Sequence, residues 1–471
     1  MAGGRGLFRS KFVRDTLILQ ASKLGVTALG LAAWAVVPVA LGAERYGIWA
    51  LAQSAFAIWL TFDLTGAAVG VHTRLAAAVG ARDDAEILRL MAAYVQIMLL
   101  WALVSMAVLF AFAPALVARL YPEAVPLVEA GREALPALPT FAWASSAQIG
   151  WLAAWLSLSL LADPFYNLVV IALQSRRQMG ALGLLQNANQ LVLTLCLVGG
   201  ALLNPTPETL VAARLLYSFS TLLLALAVYR QLRARGGVVY PALRAVLAAV
   251  PRASYRPYWR FGFANALDKN LANLYTQLPL QIVGVAAGTA AASYLQLALR
   301  GIQQAGLFTS AIFDNLQAVV PQAIGRGDYL RLWRNLRRVL LALAVGGGLF
   351  YGAVALFAPA VIVPLFGDEW LPALPLIPAL AIYGVATTVG GVFGPLYRAL
   401  DLMRAALLIK AGTLAVGLPL GALLVLAFGT LGGAWTVNIL FVVSVLLTAA
   451  AALPALRSRA VAVDRQKEEP F

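Results

Sequence analysis

Phe261–Val285 reads FGFANALDKNLANLYTQLPLQIVGV. As a helix, these 25 residues rise about 37 Å, enough to cross a hydrocarbon layer roughly 30 Å thick. Yet Asn265, Lys269, Asn273, Gln277 and Gln281 recur every fourth residue, a polar band that winds by about 40° per step. Asp268 stands one residue before the lysine. A charge near the bilayer centre costs at least about 2.5–3.5 kcal/mol, so such a band must face protein or a wet cavity. It reads as the wall of a solute pathway.

The rest of the chain is the right material for such a wall. Of its 471 residues 62% are apolar and 12% charged, against roughly 45–50% and 25% in soluble proteins, so a polytopic membrane protein is expected. The single cysteine, Cys196, excludes an internal disulfide and a four-thiolate metal site, and the single histidine, His72, argues against a histidine-based centre. No metal site or cofactor is expected. The basic start (Arg5, Arg9, Lys11, Arg14) runs into a span of full length without a convincing cleavage site, so no signal peptide is read there.

Twelve apolar runs of spanning length are expected, at 16–41, 46–70, 87–112, 146–173, 181–203, 208–230, 260–284, 289–320, 338–362, 372–397, 403–427 and 430–454. Lys and Arg fall in alternate connections, 27 on one side and 3 on the other. By the positive-inside rule the basic side, with both termini, is cytoplasmic. The net charge of +15 is therefore a topology signal, with contact to anionic lipid headgroups, and a nucleic-acid partner is excluded.

The long basic connection at 232–258 divides the chain into an N-terminal lobe, 1–231, and a C-terminal lobe with its tail, 259–471, six spans each. The halves resemble one another. Lys23 and Lys269 are 246 residues apart and Tyr46 and Tyr294 are 248 apart, while Asp63 and Asp314 close the second span of each half. Both halves begin on the same side, so the duplication is parallel.

Polar residues gather on particular spans. Span 1 carries Thr16, Gln20, Lys23 and Thr27 on one face, and span 5 carries Gln186, Asn189 and Gln190. Span 8 carries Gln296, Arg300 and Gln303, followed by Ser310, Asp314 and Gln317. Lys23, Lys269 and Arg300 suit an anion with a polar body, arginine offering a fork and lysine a point charge. Gln20, Gln186, Asn189, Asn273, Gln277, Gln296 and Gln303 would contact the rest of the solute. Asp63, Asp163, Asp268 and Asp314 are the candidates for ion coupling, with structural pairing as the plainer reading. Arg214 and Lys410 near span ends read as snorkelling, and Trp34, Trp49, Trp370 and Tyr397 as an interfacial belt. No phosphate-binding GxxxxGK[ST] loop is present, and Glu123, Glu129 and Glu133 in the longest outer connection form no catalytic set, so the chain reads as no enzyme.

The stretches ERYGIWALAQSAFAIWLTFDLTGAAVGVHTRLA and ASYLQLALRGIQQAGLFTSAIFDNLQAVVPQAIGRGD resemble polysaccharide flippases of the Wzx type, in the multidrug/oligosaccharidyl-lipid/polysaccharide exporter superfamily. The resemblance implies two six-helix lobes forming a V around a central cationic cavity in a bacterial cytoplasmic membrane. It implies alternating access to an undecaprenyl-pyrophosphate-linked oligosaccharide, and Lys23, Lys269 and Arg300 stand where the family's cavities carry basic residues. A proton or sodium gradient, with the membrane potential, is the expected drive, and a glycan polymerase with export machinery the expected protein partners. Lipid II flippases carry a denser arginine set at the start, where this chain has only Lys23, which favours another glycan lipid. The alternatives are a MATE-like exporter of cationic drugs and, third, a membrane glycan polymerase or transferase.

Overall fold

The structure, a computed structural model, describes residues 11–67, 71, 74–75, 78–79, 81–120, 147–176, 178–234, 241–256, 259–306, 313, 316, 320, 323–324 and 328–468. Among these the chain is helical, with no strand. Among the described residues eight helices are long and apolar enough to cross a membrane, and a bent pair, Gln148–Leu161 and Asp163–Ser175 at 43°, makes a ninth. Three of them hold two spans each, joined where one glycine leaves helical geometry: Gly42, Gly288 and Gly429. That gives twelve. We label them α1 (11–41), α2 (43–60), α3 (Asp84–Leu120), α4 (the bent pair), α5 (Met179–Leu203) and α6 (Pro207–Ala234). The remainder are α7 (259–287), α8 (289–306), α9 (Tyr329–Phe366), α10 (Leu376–Ala399), α11 (403–428) and α12 (430–468).

The joining glycines show why the sequence turns where it does. Gly42 (φ 74°, ψ 167°) and Gly288 (φ 89°, ψ 174°) share a conformation essentially closed to residues with a Cβ. They are separated by the same 246-residue offset as Lys23 and Lys269, so each lysine lies 19 residues before its own turn glycine. At 1.5 Å per residue both lysines sit about 28 Å from that turn. Large apolar side chains such as Leu203, 88% exposed, cover the outsides of the spans. In water such a surface would be an aggregation liability, whereas in lipid it is at home. The chain is a multi-pass membrane protein.

By internal contacts it divides into two compact units. The first holds the chain up to Leu41 with Leu51–Asn270, and the second holds Gly42–Ala50 with Leu271–Phe471. The inner part of α7 thus packs with the first unit, and the start of α2 with the second. In the first unit, Leu90, Met91 and Tyr94 of α3 pack among Leu168 of α4, Leu182 of α5 and Tyr229 of α6. Val246 and Tyr255, from the connection after α6, complete that core. In the second, Leu332 and Leu336 of α9 meet Phe393 and Leu396 of α10 and Leu456 of α12. Both cores lie toward the arginine-rich ends of the helices, where water rather than lipid drives apolar burial.

Candidate functional site

In the first unit, α1 and α5 are joined by hydrogen bonds rather than by apolar packing alone. Asn187 Nδ2 donates to Ser22 Oγ (2.9 Å) and to Gly183 O (3.0 Å), Ser22 Oγ donates to Gly183 O (3.1 Å), and Thr194 Oγ1 donates to Leu29 O (3.0 Å). Gly25 gives the Asn187 side chain its room, because a Cβ there would collide with Asn187 Oδ1. This seam brings Lys23, half-buried, beside α5. Gln186 and Asn189 are half-buried on α5, and Asn189 Oδ1 is enclosed with no hydrogen-bond partner among the described residues. Gln20 lies on α1, but its side chain is outside the described residues.

A second node forms where α2 ends. Asp63 Oδ1 accepts from Thr65 N (3.1 Å) and Thr65 Oγ1 (2.6 Å). Asn270 Nδ2 of α7 donates to Thr61 O and Asp63 O, 2.9 Å each, and Tyr255 Oη donates to Thr65 O at 2.8 Å. The backbones of Gly66 and Gly262 touch, an approach that any side chain would block. On this stretch of α7, Asp268 is 2% exposed, whereas Lys269 one residue on is exposed. The two charges therefore leave the helix on different sides, and the polar band opens at Lys269.

The third polar node of this unit is at the bend of α4. Ser157–Leu161 tightens into a 3-10 turn before Pro164, and Asp163 leaves that break. Arg214 of α6 approaches Asp163 Oδ2 to 3.7 Å and stacks over the Tyr217 ring at 4.5 Å. The sequence suggested snorkelling for Arg214. It has instead an acidic partner and an aromatic face within the unit.

In the second unit, α8 presents its polar residues unequally. Gln296 is buried (7% exposed), Arg300 is exposed, and Gln303 is half-buried with Nε2 donating to Tyr383 Oη at 3.4 Å. Tyr383 lies edge-on to Phe441 (4.6 Å), which in turn meets Tyr275 of α7 (5.2 Å). Within this unit Asn273 of α7 is exposed and Gln277 half-buried. Arg300 stands 12 residues beyond Gly288, about 18 Å along α8, well inside the thickness of a bilayer. Asp314 and Gln317 lie outside the described residues.

The turn segment 42–50 is locked into the second unit by Glu369 and Trp370. Glu369 Oε1 accepts from Ala43 N at 2.7 Å, a carboxylate capping the start of α2. Trp370, fully buried, takes the Tyr46 ring and the Tyr294 ring edge-on, each at 5.8 Å. These are the two tyrosines matched between the halves, and they meet on one tryptophan. The expected interfacial belt is corrected here: Trp49, Trp370 and Tyr397 are buried, because each ring finds a packed pocket in protein.

No protein-family model and no curated protein matches the chain. Solved structures do. An inward-facing multidrug resistance MATE family transporter of the MOP superfamily superposes with a TM-score of 0.67 at 14% identity, over 96% of this chain and 99% of that one. The eukaryotic MATE transporter AtDTX14 gives 0.64 at 13%, over 96% and 100%. A MOP superfamily transporter from Pyrococcus furiosus gives 0.62 at 16%, over 97% and 96%. The fold is that of the MATE transporters. The sequence pattern singled out Lys23, Lys269 and Arg300 and passed over Asn187, Asn270, Tyr255 and Glu369, whose contacts the structure shows. Asn270 follows the lysine directly and falls off the four-residue step. Asn187 sits between two noticed amides, and only its seam with Ser22 and Gly25 distinguishes it.

Proposed function

We propose that this protein is a flippase that carries an undecaprenyl-pyrophosphate-linked oligosaccharide from the cytoplasmic to the outer leaflet of a bacterial inner membrane by alternating access. The observation that carries the reading is Arg300, an exposed guanidinium about 18 Å along α8, on the helix that also carries Gln296 and Gln303. Exposure to lipid there would cost several kcal/mol, so a wet lining is the arrangement consistent with its position. Lys23 and Lys269, at matched depth from their turn glycines, add two more cations in the spans. Cations among amides suit a pyrophosphate bearing sugars: Arg300 supplies the bidentate fork, and Lys23 and Lys269 supply point charges. Asn273, Gln277, Gln303, Gln186 and Asn189 offer donors and acceptors to sugar hydroxyls, and Gln20 and Gln296 are further candidates. Because neighbours of this fold are described in inward-facing and outward-facing forms, alternating access is the natural transport mode. Outward movement of a negative headgroup gains about 2.3 kcal/mol per charge per 100 mV of inside-negative potential. Asp63, Asp163, Asp268 and Asp314 are the carboxylates through which a proton or sodium gradient would couple.

One neighbour of this fold, a MOP superfamily transporter, is described by a reversed polarity of its binding pocket that suggests a different function. The second reading, an exporter of cationic drugs, draws on the multidrug neighbours and on the buried carboxylate of Asp268. The deciding experiment reconstitutes the protein in liposomes with a fluorescent lipid-linked oligosaccharide and, separately, a cationic dye. Wild type is expected to translocate the lipid-linked sugar and ignore the dye. Arg300→Glu should abolish sugar translocation while eluting as wild type does; undiminished translocation in that variant refutes the anion assignment. Dye efflux without sugar translocation would establish the second reading.

A further inference from the structure

We propose that a groove on the flank of the first unit, between α3 and the connection after α6, binds the headgroup of an anionic glycerophospholipid from the leaflet on the arginine-rich side. The groove holds about 610 Å³. One wall is α3, with Gln96, Ile97 and Leu100; the other is the extended run Ala253–Arg256. That second wall is fixed. Tyr229 Oη donates to Pro241 O at 2.8 Å near the start of the connection, and Tyr255 Oη donates to Thr65 O at 2.8 Å near its end. Between them the short helix Leu243–Ala249 buries Val246 in the core and leaves Arg244 and Leu247 exposed.

Three features point to a lipid as the occupant. The first is charge. The connection from 231 to 258 contains arginines and no acidic residue, and the exposed Arg256 lines the groove. The acids at the start of α3 lie farther off along that helix, where Glu86 is paired with Arg89 at 3.3 Å. The second is the order of polarity along α3. Gln96 sits beside Ser254 and Arg256, and Leu100 lies one turn, about 6 Å, farther from the arginine-rich end. Leu100, Leu103 and Val104 are all exposed, so an apolar strip continues outward from the polar mouth. A glycerophospholipid has this order, phosphate at the interface and acyl chain toward the midplane. The third is hydrogen bonding: Ser254 and Gln96 add neutral donors beside the guanidinium, suiting a phosphodiester oxygen. A soluble phosphate would use the mouth and leave the strip unused. The site is independent of the transported cargo, and its test leaves the flippase reading untouched.

The test places the full-length protein in nanodiscs with a photoactivatable phosphatidylglycerol or the matching phosphatidylcholine, then maps the adducts. Phosphatidylglycerol adducts are expected in the peptides around Gln96–Leu100 and Ala253–Arg256, and phosphatidylcholine adducts there should be weaker. Arg256→Glu should lower the phosphatidylglycerol labelling about tenfold, as expected when a guanidinium–headgroup attraction becomes a repulsion. Arg233→Glu, elsewhere on the same basic side, should leave it unchanged. Should Arg256→Glu fail to elute as wild type does, Arg256→Gln decides in its place, with a smaller loss expected. Equal labelling by both lipids, labelling that survives loss of the guanidinium, or adducts spread along every lipid-facing helix would overturn the site. Competition by soluble glycerophosphate would overturn the lipid assignment in favour of a plain phosphate site.

Discussion

Tyr255 shows how one side chain serves both position and chemistry. Its hydroxyl donates to Thr65 O and is pushed up to about 12 by burial, with the Asp63 carboxylate adding to the shift. Because the folded state holds this proton more tightly than the unfolded chain, its contribution is full below pH 10 and is lost as pH rises from 10 toward 12. Tyr255→Phe removes the donor and leaves Thr65 O short of a partner. It should cost about 1–2 kcal/mol at neutral pH and should show a smaller alkaline decline than the wild type. Denaturant unfolding of both proteins at pH 7.5 and pH 11 (about one unit above an ordinary tyrosine) reads both effects. Glu369 belongs to the same scale: no pattern in the sequence marks it, and only its 2.7 Å contact with Ala43 N gives it a task.

At the scale of elements, the turn glycines decide where spans end. No side chain approaches within 4 Å of a Cβ built on Gly288, so an alanine there would meet no clash. The backbone alone resists it, at φ 89° and ψ 174°. Gly288→Ala should therefore destabilise the protein by about 1–3 kcal/mol despite the open space. Gly352→Ala, also in open space but inside the regular helix α9, should stabilise by up to about 1 kcal/mol. Opposite signs for the two substitutions in detergent unfolding would separate strain from packing, and equal effects would reject the strained-turn account. The bend in α4 has a comparable origin. A 3-10 turn and Pro164 break the ladder, and Asp163 emerges at the break facing Arg214.

For the whole molecule, the alternation of arginines predicts that both termini lie on the same side of the membrane. Protease cleavage of tags at residue 1 and residue 471 should occur together in one vesicle orientation and not in the other. Cleavage of the two tags from opposite sides would require an odd number of spans. The two units divide their labour in a way that the connection at 232–258 does not announce. The inner part of α7 is held to the end of α2 by Asn270, and the start of α2 is held by Glu369 and Trp370 in the second unit.

Apolar run length, charge alternation and the 246-residue offset were enough to derive twelve spans, their turns and the cations within them. These properties are local, and a bilayer reads them one helix at a time. The partners of Asn270, Asn187, Glu369 and Trp370, and the burial of Asp268 beside exposed Lys269, were decided only by the tertiary structure. In a bilayer the apolar effect that sorts side chains in water is nearly silent between helices. Which polar group meets which is therefore set by close packing and hydrogen-bond geometry between segments far apart in the chain.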